Sequence, residues 1–142
     1  MMPYGFTVFC DDIRQEVNGK TTLVGCYSGD MNFSKPAPAR VANLCAYINI
    51  RIPNGTRFEA IHVWANHQQG EDVKTIFSAE IEVESLEGVA DMPDGAEYVS
   101  IIIPCQWTPF EARESGRLSI RARFDDGDEL KLDTLNIRFP VE

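Results

Sequence analysis

Apolar and polar residues alternate with a period of two along most of this chain. Such alternation is typical of β-strands that bury one side and leave the other in water. No segment has the spacing of apolar positions that an amphipathic helix requires. The clearest inward sets are Leu44, Ala46, Ile48, Ile50 and Ile52; Phe77, Ala79, Ile81 and Val83; Val99, Ile101 and Ile103; and Leu118, Ile120, Ala122 and Phe124.

Turns rich in glycine, proline, asparagine and aspartate separate these segments. Their spacing is typical of an all-β sandwich or barrel, and the length suits one domain, residues 1–142. The longer connection 31–42 is predicted to be extended, and 106–115 to cross between sheets or form one short helical turn. We predict eight strands, at 4–11, 20–28, 43–52, 57–66, 72–85, 96–105, 116–124 and 129–139.

The turn at Asn18-Gly19 allows two registers for the first hairpin. A two-residue loop pairs Val17 with Lys20, whereas a three-residue loop with a left-handed Gly19 pairs Glu16 with Lys20. The second register is favoured because it sets apolar residues opposite each other. Its facing pairs are Cys10–Cys26, Phe9–Tyr27 and Ile13–Leu23.

The last predicted strand changes phase, because Leu130 and Leu132 are even-numbered whereas Leu135, Ile137 and Phe139 are odd-numbered. One straight strand cannot turn all five inward unless a residue is inserted into the ladder. We therefore predict a β-bulge or bend near 133–134. That bend would set Phe124 against Leu130 and Ile120 against Leu135.

Charge limits the partners of this protein. The chain has 22 acidic and 13 basic residues and a net charge of −9, which opposes binding to nucleic acid or to anionic membranes. We find no apolar run long enough to cross a bilayer and no signal-peptide pattern at the start. We therefore expect a cytoplasmic protein, with its four cysteines reduced: Cys10, Cys26, Cys45 and Cys105.

Residues that could carry chemistry occur in no recognised arrangement. His62 and His67 lack a third metal ligand, and we expect His62 on a strand and His67 in a turn over 67–70. We find no nucleophile elbow and no cysteine–histidine motif. The acidic run 125–129 lacks the order of a calcium loop and is interpreted as a hairpin turn. We predict no catalytic residue, no cofactor and no metal site.

Two stripes of charge are the most suggestive feature. A basic stripe lies on the outward side of the last hairpin, and an acidic counter-face lies on the strand 72–85. The basic stripe could receive the acidic counter-face of a second copy; alternatively, the two neighbour each other within one sheet and cancel. The basic stripe comprises Arg117, Arg121, Arg123, Lys131 and Arg138, and the acidic counter-face comprises Glu80, Glu82 and Glu84.

These features favour a non-enzymatic binding or assembly module that acts through a sheet face or edge. Its partner would be another protein or a second copy of the chain. The competing hypothesis is a small-ligand binder or enzyme with a cavity between the sheets. Trp64, Trp107, His62 and Tyr98 are the residues expected to line such a cavity.

Residues 9–27 combine an apolar strand, Asp11-Asp12, a Gly19-Lys20 turn and the strand Leu23 to Tyr27. This run resembles the opening of a family of small uncharacterised bacterial and phage-associated proteins. The hairpin 116–137 is similar to the closing strands of an immunoglobulin-like domain in that family. The resemblance implies an immunoglobulin-like β-sandwich of about seven to nine mostly antiparallel strands. It assigns no activity, and it raises the alternative of a phage or prophage structural component.

Overall fold

The alternating segments form two facing β-sheets. The computed structural model describes residues 2–82 and 97–141, and this part of the chain contains one short 3₁₀ turn, Val17–Gly19, and no α-helix. Its strands are β1 (Tyr4–Gln15), β2 (Thr21–Cys26), β3 (Asp30–Asn32), β4 (Ala39–Val41), β5 (Leu44–Pro53), β6 (Ala60–Gln69), β7 (Asp72–Glu82), β8 (Tyr98–Trp107), β9 (Phe110–Ala112), β10 (Gly116–Phe124) and β11 (Glu129–Arg138).

The first sheet has the strand order β2-β1-β5-β8, and the second has the order β3-β11-β10-β6-β7. All pairs are antiparallel except β3 with β11, and β4 and β9 form a small separate ladder. The all-β prediction is therefore confirmed, with each of the eight predicted strands matched by a long one. Three additional strands of three residues each lie in the two long connections. The immunoglobulin-like assignment stays a prediction.

The core lies between the inward faces of the two sheets. Every second residue of β5 from Leu44 to Ile52 is buried there, and so are Leu118, Ile120 and Ala122 of β10. The alternation along the sequence therefore predicted which side of these strands is inward. The predicted inward residue Val83 lies outside the described residues.

The first hairpin adopts the register of the three-residue loop. Cys10 faces Cys26 and Ile13 faces Leu23, while the Glu16 amide donates to the Lys20 carbonyl oxygen at 2.7 Å. Gly19 has a φ of +74°. Its left-handed conformation, which glycine adopts without steric cost, confirms the prediction made from the turn sequence.

The predicted bulge lies in β11. Ser119 faces Thr134, but Arg121 faces Lys131, so β11 holds one more residue than β10 across this step. The extra residue turns both the even-numbered Leu132 and the odd-numbered Leu135 into the core, where both are fully buried. The inserted residue lies at the position where the phase of the apolar residues changes, as the sequence predicted.

The facing pairs proposed for this hairpin were wrong by two residues. Ala122, not Phe124, faces Leu130, and Leu118, not Ile120, faces Leu135. The reason is the tight turn after β10, which starts at Asp125, so the two strands pair two residues nearer to the start of β10 than predicted.

The placement of His67 in a turn was also wrong. Strand β6 continues to Gln69, and the hairpin turns at Gly70, which has a φ of +59°. Polar His67 and Gln69 obscured the strand, because both point inward and are buried at the end of the sandwich.

Asp133 joins the two sheets at the bulge. Its backbone has a φ of +75°, and its carboxylate accepts a hydrogen bond of 3.0 Å from the Thr7 amide of β1. Strand β1 pairs with β2 only from Cys10 onward, and Thr7 comes before that point. The Thr7 amide therefore has no partner in β2 on the side of β1 that faces away from β5. The side chain of the bulge therefore completes the hydrogen bonding of the opposite sheet.

Asp133→Ala should lower the free energy of unfolding by about 2 kcal/mol, because it removes this acceptor and puts alanine, which tolerates the left-handed region less well than aspartate, at a positive φ. Asp133→Asn should lose well under half of that amount, because asparagine tolerates the left-handed region and offers an amide oxygen. Urea unfolding of the two variants checks this expectation. Losses of equal size in both variants would contradict the roles assigned to the acceptor oxygen and to the backbone conformation.

Candidate interaction surfaces and an intersheet groove

The basic stripe lies on the outer face of the second sheet. Arg117, Arg121 and Arg123 alternate with the buried residues of β10, and Lys131 faces Arg121 from β11. Arg138 lies near the end of β11, beside β3. The structure thus brings all five predicted residues to one face.

Acidic neighbours within the chain already engage two of these cations. Arg121 Nε lies 3.4 Å from Glu129 Oε1, and only 17% of the Arg121 side chain is exposed. Arg138 Nε lies 3.3 Å from Asp30 Oδ1. Because these pairs are local, part of the charge of the stripe is neutralised before any partner arrives.

Hydrogen bonds and a ring contact hold two more arginines against the sheet. Arg123 Nε donates to the Gly127 carbonyl oxygen at 3.1 Å, and its guanidinium lies 5.5 Å from the centre of the Trp64 ring. Arg117 Nε donates to Gln68 Oε1 at 3.1 Å. Such contacts fix the direction of each guanidinium and reduce its freedom to reach a partner.

The acidic counter-face occupies the same side of the same sheet. Glu80 faces His62, and Glu82 faces Ala60, across the ladder between β7 and β6, while Glu84 lies outside the described residues. Strand β6 separates this counter-face from the basic strand β10, so the two stripes lie roughly 10 Å apart. Of the two alternatives, the one that placed both charged stripes in one sheet matches the observed positions, although the strand β6 lies between the two stripes.

The outer face of the first sheet is mostly apolar. Its rows across β1, β5 and β8 present aromatic and aliphatic side chains, of which Ile102 is 47% exposed, Tyr4 46% and Tyr98 38%. Phe6 and Ile102 lie in one such row, on either side of β5. Contiguous exposed apolar surface of this kind marks interaction sites in soluble proteins.

The part of this outer face where β1, β5 and β8 lie side by side carries little charge. Among the residues that point outward from Tyr4–Cys10, Cys45–Pro53 and Tyr98–Gln106, Arg51 is the one charged side chain. Its guanidinium lies 4.6 Å from the centre of the Tyr98 ring and 5.9 Å from that of Phe6, and Nη1 donates to the Tyr98 hydroxyl oxygen at 2.6 Å. Arginine and tyrosine clustered in this way are frequent among residues that dominate binding energy.

Sequence reasoning missed this surface because it sorted the strands by their inward residues. The available signal was Ile102, which makes β8 apolar on both sides. A strand with two apolar sides is either buried on both sides or exposes one side for binding. The order of strands in the sheet distinguishes these two cases, and β8 is an edge strand of the first sheet.

A groove of about 660 Å³ opens where the ends of β6 and β7 meet Trp107 and the strand β9. The Trp107 indole donates to the Ile76 carbonyl oxygen at 3.1 Å, and Arg113 forms an ion pair of 2.9 Å with Asp72 at the rim. Of the four residues proposed to line a cavity between the sheets, Trp107 alone lines this groove.

The other proposed lining residues lie elsewhere. His62 and Trp64 pack against each other in a tilted arrangement on the outer face of the second sheet, with ring centres 4.9 Å apart, and Tyr98 belongs to the outer face of the first. His67 lines the groove instead, packed on Phe110 with ring centres 4.8 Å apart. The prediction that these four residues share a cavity is therefore wrong.

The surroundings of His67 lower the pKa of its imidazole. Desolvation lowers the pKa of its imidazole, Arg113 lowers it further, and its Nε2 is buried without a hydrogen-bond partner. Two groups with shifted pKa values would be expected in a catalytic cleft. Among the described residues that line the groove, His67 is the one with such a shift.

The acidic run 125–129 behaves as a turn. Asp125 Oδ1 accepts hydrogen bonds of 3.0 Å from the amides of Glu59 and Ala60, and the Gly127 amide donates to the Phe124 carbonyl oxygen at 3.0 Å. These contacts use the Asp125 carboxylate to hold the start of β6. Within 2–82 and 97–141, no three potential ligands are grouped as a metal ion would need.

Comparison of the chain with models of protein families gave no match, and a search of curated proteins found no similar sequence. No helix in the described residues is long and apolar enough to cross a membrane.

The buried His67 should make stability depend on pH. Because the native state lowers its pKa below the unfolded value of 6.5, stability is full above that pH and declines as the pH falls below it, by at most about 1.4 kcal/mol per pH unit, until the native imidazole is protonated. His67→Phe, which keeps a ring on Phe110, should remove this part of the decline. Chemical unfolding between pH 7.5 and 5 measures it.

The exposed His62→Gln variant is the control and should keep the wild-type pH dependence, because His67 is intact. If His67→Phe and wild type lose stability equally on acidification, the buried imidazole is not the titrating group.

Proposed function

We propose that this protein is a non-enzymatic binding and assembly module, and that the outer face of its first sheet is the docking surface. The occupant we propose for this face is a second copy of the chain. The observation that supports the proposal most is the combination of exposed Ile102, Tyr4 and Tyr98 with Arg51 as the single charge that points outward from Tyr4–Cys10, Cys45–Pro53 and Tyr98–Gln106.

Charge favours this face over the others for self-association. Two chains of net charge −9 repel each other wherever their carboxylates approach. The outer face of the first sheet lets two copies approach with few carboxylates between them, and burial of its apolar surface supplies the favourable free energy.

Symmetry also favours a second copy. A twofold axis parallel to β5 would lay β1 of each copy over β8 of the other. Phe6 and Ile102 share one cross-strand row and Val8 and Pro104 share the next, so this arrangement sets apolar residues on apolar residues. The same axis would bring the two Arg51 side chains near each other at the centre, each held against the Tyr98 and Phe6 rings of its own chain, which accept a cation.

The basic stripe supports docking less well. Its cations are engaged by Glu129, Asp30, Gln68 and the Gly127 carbonyl oxygen, and these contacts would have to be exchanged for contacts with a partner. Rim charges of this kind change association rates more than affinity. We therefore prefer the apolar face to the pairing of the two charged stripes.

We further propose a cytoplasmic location and no role in nucleic-acid binding. Four unpaired cysteines favour a compartment that keeps thiols reduced, and the acidic balance disfavours a polyanionic partner.

Small-ligand binding in the groove is the second candidate function. It is favoured by His67, whose buried Nε2 lacks a partner in a groove that Trp107 and Phe110 line. A fragment screen followed by the NMR signals of the His67 ring and the Trp107 indole tests it. Shifts confined to these signals would support the idea, and their absence across the screen would count against it.

Sedimentation equilibrium with the variant Ile102→Glu tests self-association. The wild type should form dimers as concentration rises, and the variant should dissociate at least roughly 30-fold more readily, because a carboxylate would be buried in an apolar contact. Ile102 is half exposed in the single chain, so the urea unfolding of the variant should stay close to that of the wild type.

Val73→Glu is a matched control, because Val73 is 56% exposed on the outer face of the second sheet. It should dimerise like the wild type, and so should a chain with Arg117→Glu and Lys131→Glu at an ionic strength that screens its higher net charge. A wild type that stays monomeric at all concentrations, or an Ile102→Glu chain that associates normally, would overturn the proposal. Dissociation caused by the substitutions of Arg117 and Lys131 would indicate that the interface lies on the second sheet instead.

A further inference from the structure

Three cysteines lie side by side across three neighbouring strands. Cys10 of β1 faces Cys26 of β2 on one side and Cys45 of β5 on the other. Cys10 and Cys45 are buried outside the core between the sheets, whereas Cys26 is exposed. The row thus runs from solvent at the edge of the first sheet to a buried thiol two strands away.

The backbone hydrogen bonds place Cys26 within disulfide reach of Cys10. The Tyr27 amide donates to the Phe9 carbonyl oxygen at 2.8 Å, which places Cys10 and Cys26 at the adjacent, non-hydrogen-bonded position at this end of the ladder, beyond the irregularity at Gly25 with its φ of +66°. Facing Cα atoms at such positions are about 4.5 Å apart, and their side chains approach most closely. This separation falls within the range of about 4.4–6.8 Å that a disulfide spans.

Exposure determines which thiol reacts first. Burial raises the pKa of Cys10 to about 11, and the neighbouring Cys45 and Cys26 raise it as well. Burial also raises the pKa of Cys45, whose thiol donates toward the Asp11 carbonyl oxygen at 3.8 Å. Because the thiolate is the nucleophile, the solvent-accessible Cys26 is the sulfur that an oxidant meets.

We propose that Cys26 and Cys10 form a peroxide-sensitive thiol pair. Hydrogen peroxide oxidises the Cys26 thiol to a sulfenic acid, and one water leaves. The Cys10 sulfur then attacks the Cys26 sulfur, the S–O bond breaks, the leaving hydroxide takes the proton of the Cys10 thiol and departs as a second water, and a disulfide joins β1 to the edge strand β2. A thiol reductant restores both thiols. The inference does not rest on the proposed docking surface.

The product should stabilise the edge of the first sheet. The bond would close a loop around the first hairpin, which removes conformations from the unfolded chain. We expect the midpoint of thermal unfolding to rise by about 5 °C on oxidation.

Tryptic mapping of the intact chain after treatment with hydrogen peroxide tests the proposal. Trypsin cleaves after Arg14, Lys20, Arg40, Arg51, Lys74 and Arg113, and it does not cleave between Lys35 and Pro36, so each cysteine falls on its own peptide: 1–14, 21–40, 41–51 and 75–113. Without reductant, we expect peptides 1–14 and 21–40 to be joined with the loss of two hydrogens, in a chain that migrates as a monomer. Dithiothreitol should separate them.

Three single variants separate the roles of the thiols. Cys10→Ser should leave Cys26 as a sulfenic acid that dimedone traps, and it should abolish both the joined peptides and the rise in unfolding temperature. Cys26→Ser should abolish them too, without a dimedone adduct on peptide 21–40. Cys45→Ser should keep the link between peptides 1–14 and 21–40.

Several results would overturn the proposal. These are a link from peptide 1–14 to 41–51 in place of 21–40, a disulfide between two chains through Cys26, or oxidation of Cys26 to sulfinic acid while Cys10 stays a thiol. Partial unfolding by the substitutions cannot imitate the expected result, because the link is measured in the wild-type chain.

Discussion

The burial of β11 is the constraint on which the rest of the sandwich depends. This strand must turn Leu132, Leu135 and Ile137 into the core although their spacing changes phase. One inserted residue resolves the conflict, and the same bulge sends the Asp133 carboxylate to the Thr7 amide of the opposite sheet. A single backbone irregularity therefore keeps the core continuous and ties the two sheets together.

Because the inward faces of the two sheets form the core, the outward faces are the surfaces that can meet a partner. The second sheet presents charged and polar side chains that largely satisfy one another, such as Arg121 with Glu129 and His62 with the Ser78 hydroxyl at 2.8 Å. The first sheet presents Ile102 and aromatic rings around Arg51, with few polar partners. This asymmetry between the faces is the physical basis of the proposed docking surface.

Period-two alternation predicted the strands, the inward residues and the bulge, because residues close together in the sequence show which side of a strand is buried. The first-hairpin register followed from the turn at Asn18-Gly19 and the pairing of Cys10 with Cys26. Sheet order is not local, so the sequence could not tell that β8 is an edge strand or that β6 separates the two charged stripes. His67 was misplaced because polar residues at the end of a buried strand look like a turn.

The central claim is that the outer face of the first sheet is the surface that meets a second copy. Methyl NMR spectra across a dilution series test it most directly, because each methyl group reports its own surroundings. The account predicts that the signals of Ile102 and Val8 shift as concentration rises while that of Val73 stays fixed. Shifts at Val73 with none at Ile102 and Val8, or no shifts at any concentration, would contradict it.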